Sequence, residues 1–320
     1  MNETPIRKVL LTGGYCYGGV HAFAQALAHG FEKLGYPAEV IPPFAIFRRW
    51  RDLHDPSILK ILGTHALFAA PFSRRTICVA HGFPRPDAQG WLRTIVKLAL
   101  YKCANLSRCN RLVAVSDYAA VHLKCINLRI DAVIHNPVQN EFTLPWQERQ
   151  ERKYLTYVGR LIPAKNVHHL LPAMLKVLED DPSLRVCIAG DGLQRKELET
   201  IAKGNPRVDF TGNIGSSAVL DLLRKTRVFV SGNEMEPFGI TYLEALSQGC
   251  TVAMPACGGG LEIALKEIGN RINLLPLSFD IDAIAAILRQ SLSADNKRYD
   301  VSSYRDDNVA KKYLMVGKRI

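Results

Sequence analysis

Short apolar runs alternate with longer amphipathic runs along most of the chain. The short runs predict strands at Lys8–Thr12, Ala38–Pro42, Lys60–Thr64, Thr76–Ala80, Leu112–Ser116 and Ala132–Asn136. Between them, helical spacing predicts helices over Gly19–Leu34, Gln89–Leu106 and Asp117–Cys125. The pattern then restarts. Strands follow at Leu155–Gly159, Arg185–Ala189, Val208–Thr211, Val228–Ser231, Thr251–Met254 and Ile272–Leu275. Helices follow at Val167–Leu178, Leu193–Ala202, Ser216–Leu223, Phe238–Ser247, Gly259–Lys266 and Ile281–Ser291. Continuously apolar strands alternating with helices indicate parallel sheets covered on both faces. Two such series indicate two doubly wound α/β domains. The polar stretch Gln139–Lys153 reads as the linker between them. A last helix, Tyr304–Lys318, has no following strand, so it covers domain two or returns to domain one.

The length of 320 residues suits two domains, and a hydrophobic content of 48% excludes a disordered chain. No stretch approaches the ~18 uncharged apolar residues of a membrane-spanning helix. The start, running straight into an apolar strand, lacks the features of a signal peptide. The eight cysteines form no C-x-x-C pair and sit mostly in apolar runs, so a reduced, cytoplasmic protein with buried thiols is expected. The nine histidines include no H-E-x-x-H, and no metal site is expected.

Charge sharpens the division. The formal net charge is +11. Residues 1–150 hold 18 Lys and Arg against 10 Asp and Glu, whereas residues 151–301 hold 18 of each. From Pro56 to Ser116 there are nine bases and one acid, Asp87. One half therefore carries the cationic excess.

Three loops could carry chemistry. Gly13-Gly14-Tyr15-Cys16-Tyr17-Gly18-Gly19 joins the first strand to the first helix. Glycines admit close approach of a ligand, and a helix start offers free N–H groups to an anion. The spacing is not G-x-G-x-x-G, and the second strand ends Val40-Ile41-Pro42-Pro43 without the ribose-binding acid of a dinucleotide fold. No Gly-Lys-Ser/Thr follows, so it is no P-loop either. A tight structural turn is the plain alternative.

In domain two, Arg160 ends a strand and Lys165 precedes a helix, an arrangement that suits a diphosphate. Glu236 and Glu244 are eight residues apart around a helix start near Pro237, roughly two turns, so both can face one ligand. Ionised carboxylates accept hydroxyl protons, which is what gripping a sugar or ribose diol requires. Capping by Glu236 and a surface Glu244 is the alternative. Gly258-Gly259-Gly260-Leu261-Glu262 is another glycine loop opening a helix.

Together these runs resemble a known family. EPFGITYLEALSQG is similar to the E-x(7)-E signature of retaining glycosyltransferases of family 4, which have the GT-B fold. The N-terminal glycine loop, His81-Gly82, YVGRL with Lys165, AGDG at 189–192 and VDFTGN at 208–213 match in order. The resemblance implies two Rossmann-like domains with a cleft between them and a C-terminal helix crossing back. It implies an acceptor domain over residues 1–145 with 302–320, and a donor domain over 146–301. Arg160 and Lys165 would stabilise the diphosphate leaving group, Glu236 a sugar hydroxyl, and Glu244 the ribose. His81 would lie beside the transferred sugar. Backbone groups of Phe238, Gly239, Ile240 and Thr241 would bind the donor, with Gly13, Gly14 and Gly18 over the phosphates. Gly190 belongs to the same donor set, and Phe210 and Gly212 would flank the base. The family uses no metal or cofactor, and a UDP-sugar is the favoured donor. The third glycine loop departs from the family in lacking a proline before Glu262, which bears on the acceptor pocket.

The cationic domain would then meet the acceptor. Phe47, Arg48, Arg49 and Trp50 interleave aromatics with bases, and Trp91, Arg93 and Lys97 repeat the theme on a helix. That chemistry suits an anionic membrane surface, whereas no nucleic-acid module is present. The expectation is a retaining glycosyltransferase acting on a lipid-linked or cell-surface glycan, such as lipopolysaccharide, peripherally at the inner face of the plasma membrane. A non-catalytic nucleotide-sugar or lipid-binding protein of the same fold is the alternative.

Overall fold

The computed structural model describes residues 4–14, 19–86, 90–106, 110–144, 151–265, 268–294 and 297–320. The chain divides into two compact units, residues 1–140 with 301–320, and residues 141–300.

Unit one is built on β1 (Lys8–Thr12), β2 (Ala38–Ile41), β3 (Ile58–Gly63), β4 (Thr76–Ala80), β5 (Asn110–Ala114) and β6 (Ala132–Val133). All pair in parallel, in the order β2-β1-β3-β4-β5-β6. Every residue of β3 and β4 is buried, as expected of central strands covered on both faces. The helices are α1 (Gly19–Lys33), α2 (Trp50–His54), α3 (Trp91–Leu106) and α4 (Asp117–Cys125). Ser116 caps α4, its hydroxyl accepting from the Ala119 amide at 2.9 Å. Two 3-10 segments, Pro43–Arg49 and Thr64–Phe72, have no counterpart in the periodicity. β3 begins two residues earlier than the pattern predicts, and β6 is cut to two residues.

The C-terminal helix, Asp306–Lys318, packs on α1 of unit one. Gly30 makes this possible, because a Cβ there would stand 2.2 Å from the Asp306 carbonyl oxygen. Asp306, 1% exposed, is held by Lys33 Nζ at 3.0 Å and by His29 Nδ1 at 2.5 Å. Of the two placements open to this helix in the sequence, the fold takes the return to unit one.

The short helix α5 (Asn140–Thr143) leads into unit two. Its strands are β7 (Tyr154–Val158), β8 (Arg185–Ala189), β9 (Val208–Gly212), β10 (Thr226–Val230), β11 (Thr251–Pro255) and β12 (Ile272–Leu275), in the order β12-β11-β10-β7-β8-β9. The helices are α6 (Val167–Asp180), α7 (Arg195–Ala202), α8 (Ser216–Arg224), α9 (Ile240–Ser247), α10 (Gly260–Ala264) and α11 (Ile281–Leu292). Leu170, Met174 and Val177 of α6 and Ile284 and Leu288 of α11 close one core against Leu155, Val186 and Val228. Among the described residues, no helix is long and apolar enough to cross a membrane.

Candidate active site

In unit two the strand order reverses between β7 and β10, and open parallel sheets bind ligands beyond the carboxyl ends at such a reversal. The loops after these two strands carry the charged candidates. After β7, Pro163–Lys165 forms a 3-10 turn that Asn166 ends at a left-handed φ of 54°. Lys165 Nζ lies 3.1 Å from Glu236 Oε2, and the two side chains are 23% and 24% exposed. The Asn233 amide donates to the same oxygen. Asn166 Nδ2 ties the loops together, donating to the Gly232 carbonyl at 3.0 Å and to Glu234 Oε2 at 3.2 Å. Asn166 and Asn233 escape the sequence reading, since only the fold shows that these amides support the acids.

Arg160 is exposed, and its guanidinium makes no ion pair or hydrogen bond among the described residues. Its five donors remain for a ligand. Its carbonyl accepts from the Tyr157 hydroxyl at 2.9 Å. Burial, and then the Glu236 charge, raise the Tyr157 pKa, so that hydroxyl stays neutral.

Gly190 belongs to the same end of the sheet. Its φ is 134°, and a Cβ would fall 1.9 Å from the Gly159 carbonyl oxygen. Its amide donates to the Gly212 carbonyl at 2.8 Å. Backbone packing alone thus requires glycine at 190. Phe210 is half-buried on β9, at the sheet edge.

The helix expected to open near Pro237 starts three residues later, at Ile240. The delay comes from Gly239, whose φ of 95° turns the chain, and a Cβ there would sit 2.4 Å from the Tyr242 ring. Ile240 and Thr241 form the first turn of α9, where N–H groups lack intrahelical acceptors. The Phe238 side chain is core, 1% exposed, and so does not itself face a ligand. Glu244, one turn into α9, is 9% exposed rather than on the surface. Burial, and next the Glu141 charge, push its pKa up to about 7. The third glycine loop packs on the acidic one, with the Gly259 amide donating to the Glu236 carbonyl at 2.8 Å.

The remaining candidates lie in unit one. Gly13 follows β1, and a Cβ on it would meet Val40 at 3.1 Å and His21 Nδ1 at 3.2 Å. At Gly14 the nearest atom would be 3.5 Å away, so packing alone does not demand glycine there. Gly18 falls outside the described residues. His81 follows β4, its ring edge-on to Phe23 at 4.5 Å between centroids, and its Nε2 is buried without a partner. Burial, with Lys97 and His65 nearby, lowers its pKa to about 3, so the imidazole is neutral. His21 Nδ1 is also buried and unpartnered. Sequence reasoning passed over His21; its position two residues after the glycine loop was the available signal.

The aromatic and basic residues of unit one divide. Phe47 is 59% and Trp50 52% exposed, with Phe44 and Phe72 also exposed around the half-buried Phe68. On α3, Trp91, Leu92, Ile95 and Val96 are exposed while Thr94, Tyr101 and Ala104 face the core. The 3-10 segment Thr64–Phe72 packs against both α3 and Pro43–Arg49. Arg48 and Arg93 are exposed. Lys97 and Arg49 are not free surface bases. Lys97 Nζ turns inward to the Phe83 carbonyl at 3.1 Å, and burial and Arg85 lower its pKa to about 8. Arg49 pairs with Glu39 and Asp52. Among the described residues, no three His, Cys, Asp or Glu side chains gather as a metal site.

Two doubly wound parallel sheets in one chain, with this helix order, define the GT-B glycosyltransferase fold. HepE of Anabaena, solved in complex with UDP-glucose, shares it at a TM-score of 0.71 and 16% identity, over 98% of this chain and 100% of HepE. Residues 139–306, more than half of the chain, match the model of the family "Glycosyl transferases group 1", and the chain belongs to that family. It is 29% identical to an uncharacterized glycosyltransferase, MJ1607, of Methanocaldococcus jannaschii over 57% of this chain and 52% of the relative. It is 31% identical to a GDP-mannose-dependent alpha-mannosyltransferase of Mycolicibacterium smegmatis over 48% of this chain and 38% of the relative. The chain thus matches about half or less of the length of these curated relatives.

Proposed function

We propose that the protein transfers a sugar, with retention of configuration, from a nucleoside diphosphate donor to a lipid-linked or cell-surface glycan. The observation that carries this reading is the Lys165–Glu236 pair at the strand-order reversal, between the unpaired Arg160 and the start of α9. Arg160 and Lys165 stabilise the diphosphate as charge develops on it, which lowers the barrier because the interaction strengthens in the transition state. Glu236, preorganised by Lys165 and Asn233, accepts a hydroxyl of the transferred sugar. Backbone groups from Phe238 to Thr241 bind the donor, and Glu244 takes the ribose. In unit one, neutral His81 offers a buried, unpartnered nitrogen to a sugar hydroxyl. The bond from the anomeric carbon to the β-phosphate oxygen breaks as the acceptor oxygen bonds the same carbon face. The acceptor proton passes to the departing phosphate. No metal or cofactor takes part.

UDP is the favoured nucleotide, in keeping with the UDP-glucose bound by HepE; the mannosyltransferase relative makes GDP the competing candidate. The exposed aromatics and apolar α3 face, edged by Arg48 and Arg93, support peripheral docking on an anionic membrane carrying the acceptor. A panel of UDP-, GDP- and ADP-sugars, read by release of nucleoside diphosphate, tests the activity. Turnover with one donor that Glu236→Ala abolishes supports it. Binding without turnover or hydrolysis would instead identify a non-catalytic binding protein.

A further inference from the structure

Unit two holds an acid to which the donor reading gives no role. Glu141 lies in α5, and its Oε1 is closed off from solvent with no hydrogen-bond partner. The segment around it is firmly placed. Phe142 is 1% exposed, and its carbonyl accepts from Gln248 Nε2 at 3.0 Å. The Leu144 carbonyl accepts from Arg298 Nη2 at 2.9 Å. Gln248 caps α9 one turn beyond Glu244, and its amide donates to the Glu244 carbonyl at 3.2 Å. Ser247 Oγ adds a bond to that carbonyl at 2.7 Å and receives one from Gln248 Nε2 at 3.0 Å. A chain of bonds thus fixes the Glu141 segment to the turn of α9 that carries Glu244. The Glu244 carboxylate is nine-tenths buried and accepts no hydrogen bond among the described residues. Neither acid is paired with a cation there, and the charge of Glu141 bears directly on Glu244.

A nine-tenths buried carboxylate beside a half-buried one with a closed-off oxygen, neither with a donor, is costly unless donors arrive from outside. A cation would serve, but no third His, Cys, Asp or Glu joins them among the described residues. A vicinal diol supplies two hydroxyl donors on adjacent carbons. We propose that Glu141 and Glu244 together grip the donor's ribose, each accepting one hydroxyl. Glu141 is then a binding residue of the nucleotide site. The inference rests on the nucleotide-sugar reading given above.

The test measures binding of UDP, 2′-deoxy-UDP and 3′-deoxy-UDP to the full chain and to Glu141→Gln and Glu244→Gln, with melting curves to confirm folding. Loss of a hydrogen bond to a charged group costs roughly tenfold to a hundredfold in affinity. The wild-type protein should show that loss for both deoxy nucleotides. Glu141→Gln should weaken UDP while cutting the discrimination against one deoxy nucleotide, and Glu244→Gln the discrimination against the other. If Glu141→Gln weakens all three nucleotides equally, or none, the inference is overturned while the nucleotide reading stands. Discrimination that vanishes with EDTA reassigns the pair to a cation and also overturns it. If UDP, GDP and ADP all fail to bind the wild-type chain, the underlying reading fails and takes this inference with it.

Discussion

The proposed role of Glu244 sets function against stability, and the conflict has a sign and a size. Its folded-state pKa is raised from 4.5 to about 7, first by burial and then by Glu141. For an acid with a raised folded pKa, the associated stability is fully present below the unfolded value and is lost as pH rises through the folded one. The window is therefore about pH 4.5 to 7. A shift of this size corresponds to about 3 kcal/mol at ~1.4 kcal/mol per pKa unit. Above pH 7 the unliganded wild-type protein carries that whole penalty, while Glu244→Gln, neutral and nearly isosteric, carries none. The variant should thus be more stable than wild type by about 2–3 kcal/mol at pH 8 and by under about 1 kcal/mol at pH 5. Native-state hydrogen exchange of peptides from α9 is the suitable assay, because a two-unit chain need not unfold in one step. The same substitution should weaken nucleotide binding at both pH values, as expected where a site residue is kept at the expense of stability. A variant no more stable than wild type at pH 8 would refute the reasoning, since the buried carboxylate would then have a compensating donor.

Removing Asp306 takes away the buried acceptor through which Lys33 and His29 hold the C-terminal helix. Asp306→Ala should destabilise unit one by about 2–4 kcal/mol, reduced from the full buried-pair cost because Lys33 and His29 are partly exposed. A double-mutant cycle with Lys33→Ala in urea should show coupling, and additive losses would count against the pair. Gly190→Ala should abolish nucleotide binding and lower the melting temperature, because its Cβ would collide with the Gly159 carbonyl; unchanged binding by calorimetry would contradict the packing. Lys165→Ala should lower kcat by about a hundredfold or more with a smaller change in KM, as for loss of a contact that strengthens in the transition state. Liposome sedimentation should depend on anionic lipid, weaken with salt and fall with Phe47→Ser or Trp91→Ser; equal binding to neutral vesicles would argue against the membrane surface.

The fold was legible because parallel strands covered on both faces cannot hide their composition. Arg185–Ala189, Ile272–Leu275 and Asp117–Cys125 coincide with their elements residue for residue. Failures cluster where tertiary contacts override local pattern. Thr64–Phe72 is apolar from Ala66 onward, so it has no period from which to read its 3-10 form. Pro237 looks like a first-turn proline, but the left-handed Gly239 postpones the helix to Ile240. In the candidate site, Arg160, Lys165, Glu236 and Glu244 stand out as charges at strand and helix ends. The supporting Asn166 and Asn233 do not, because an amide in a polar loop looks like any other until its neighbours are known.

Charge shows the same limit more sharply. The run from Pro56 to Ser116 reads as a basic surface, yet its bases have different fates. Lys60 is fully buried, its Nζ donating to the Asp55 carbonyl at 2.8 Å, and burial brings its pKa down to about 7. Arg75 is buried against the carbonyls of Thr4 and Pro56. Arg111 reaches the Arg319 carbonyl at the end of the C-terminal helix. These groups hold unit one together, with carbonyl acceptors where carboxylates are scarce. Across unit one as a whole, the bases that face solvent, Arg93 of this run and Arg48 and Arg51 before it among them, lie beside exposed aromatics rather than in a uniform field. A purely electrostatic patch would attract any polyanion in proportion to charge. Bases interleaved with exposed rings gain from both charge and apolar burial, which is the combination that the proposed docking on an anionic membrane would use.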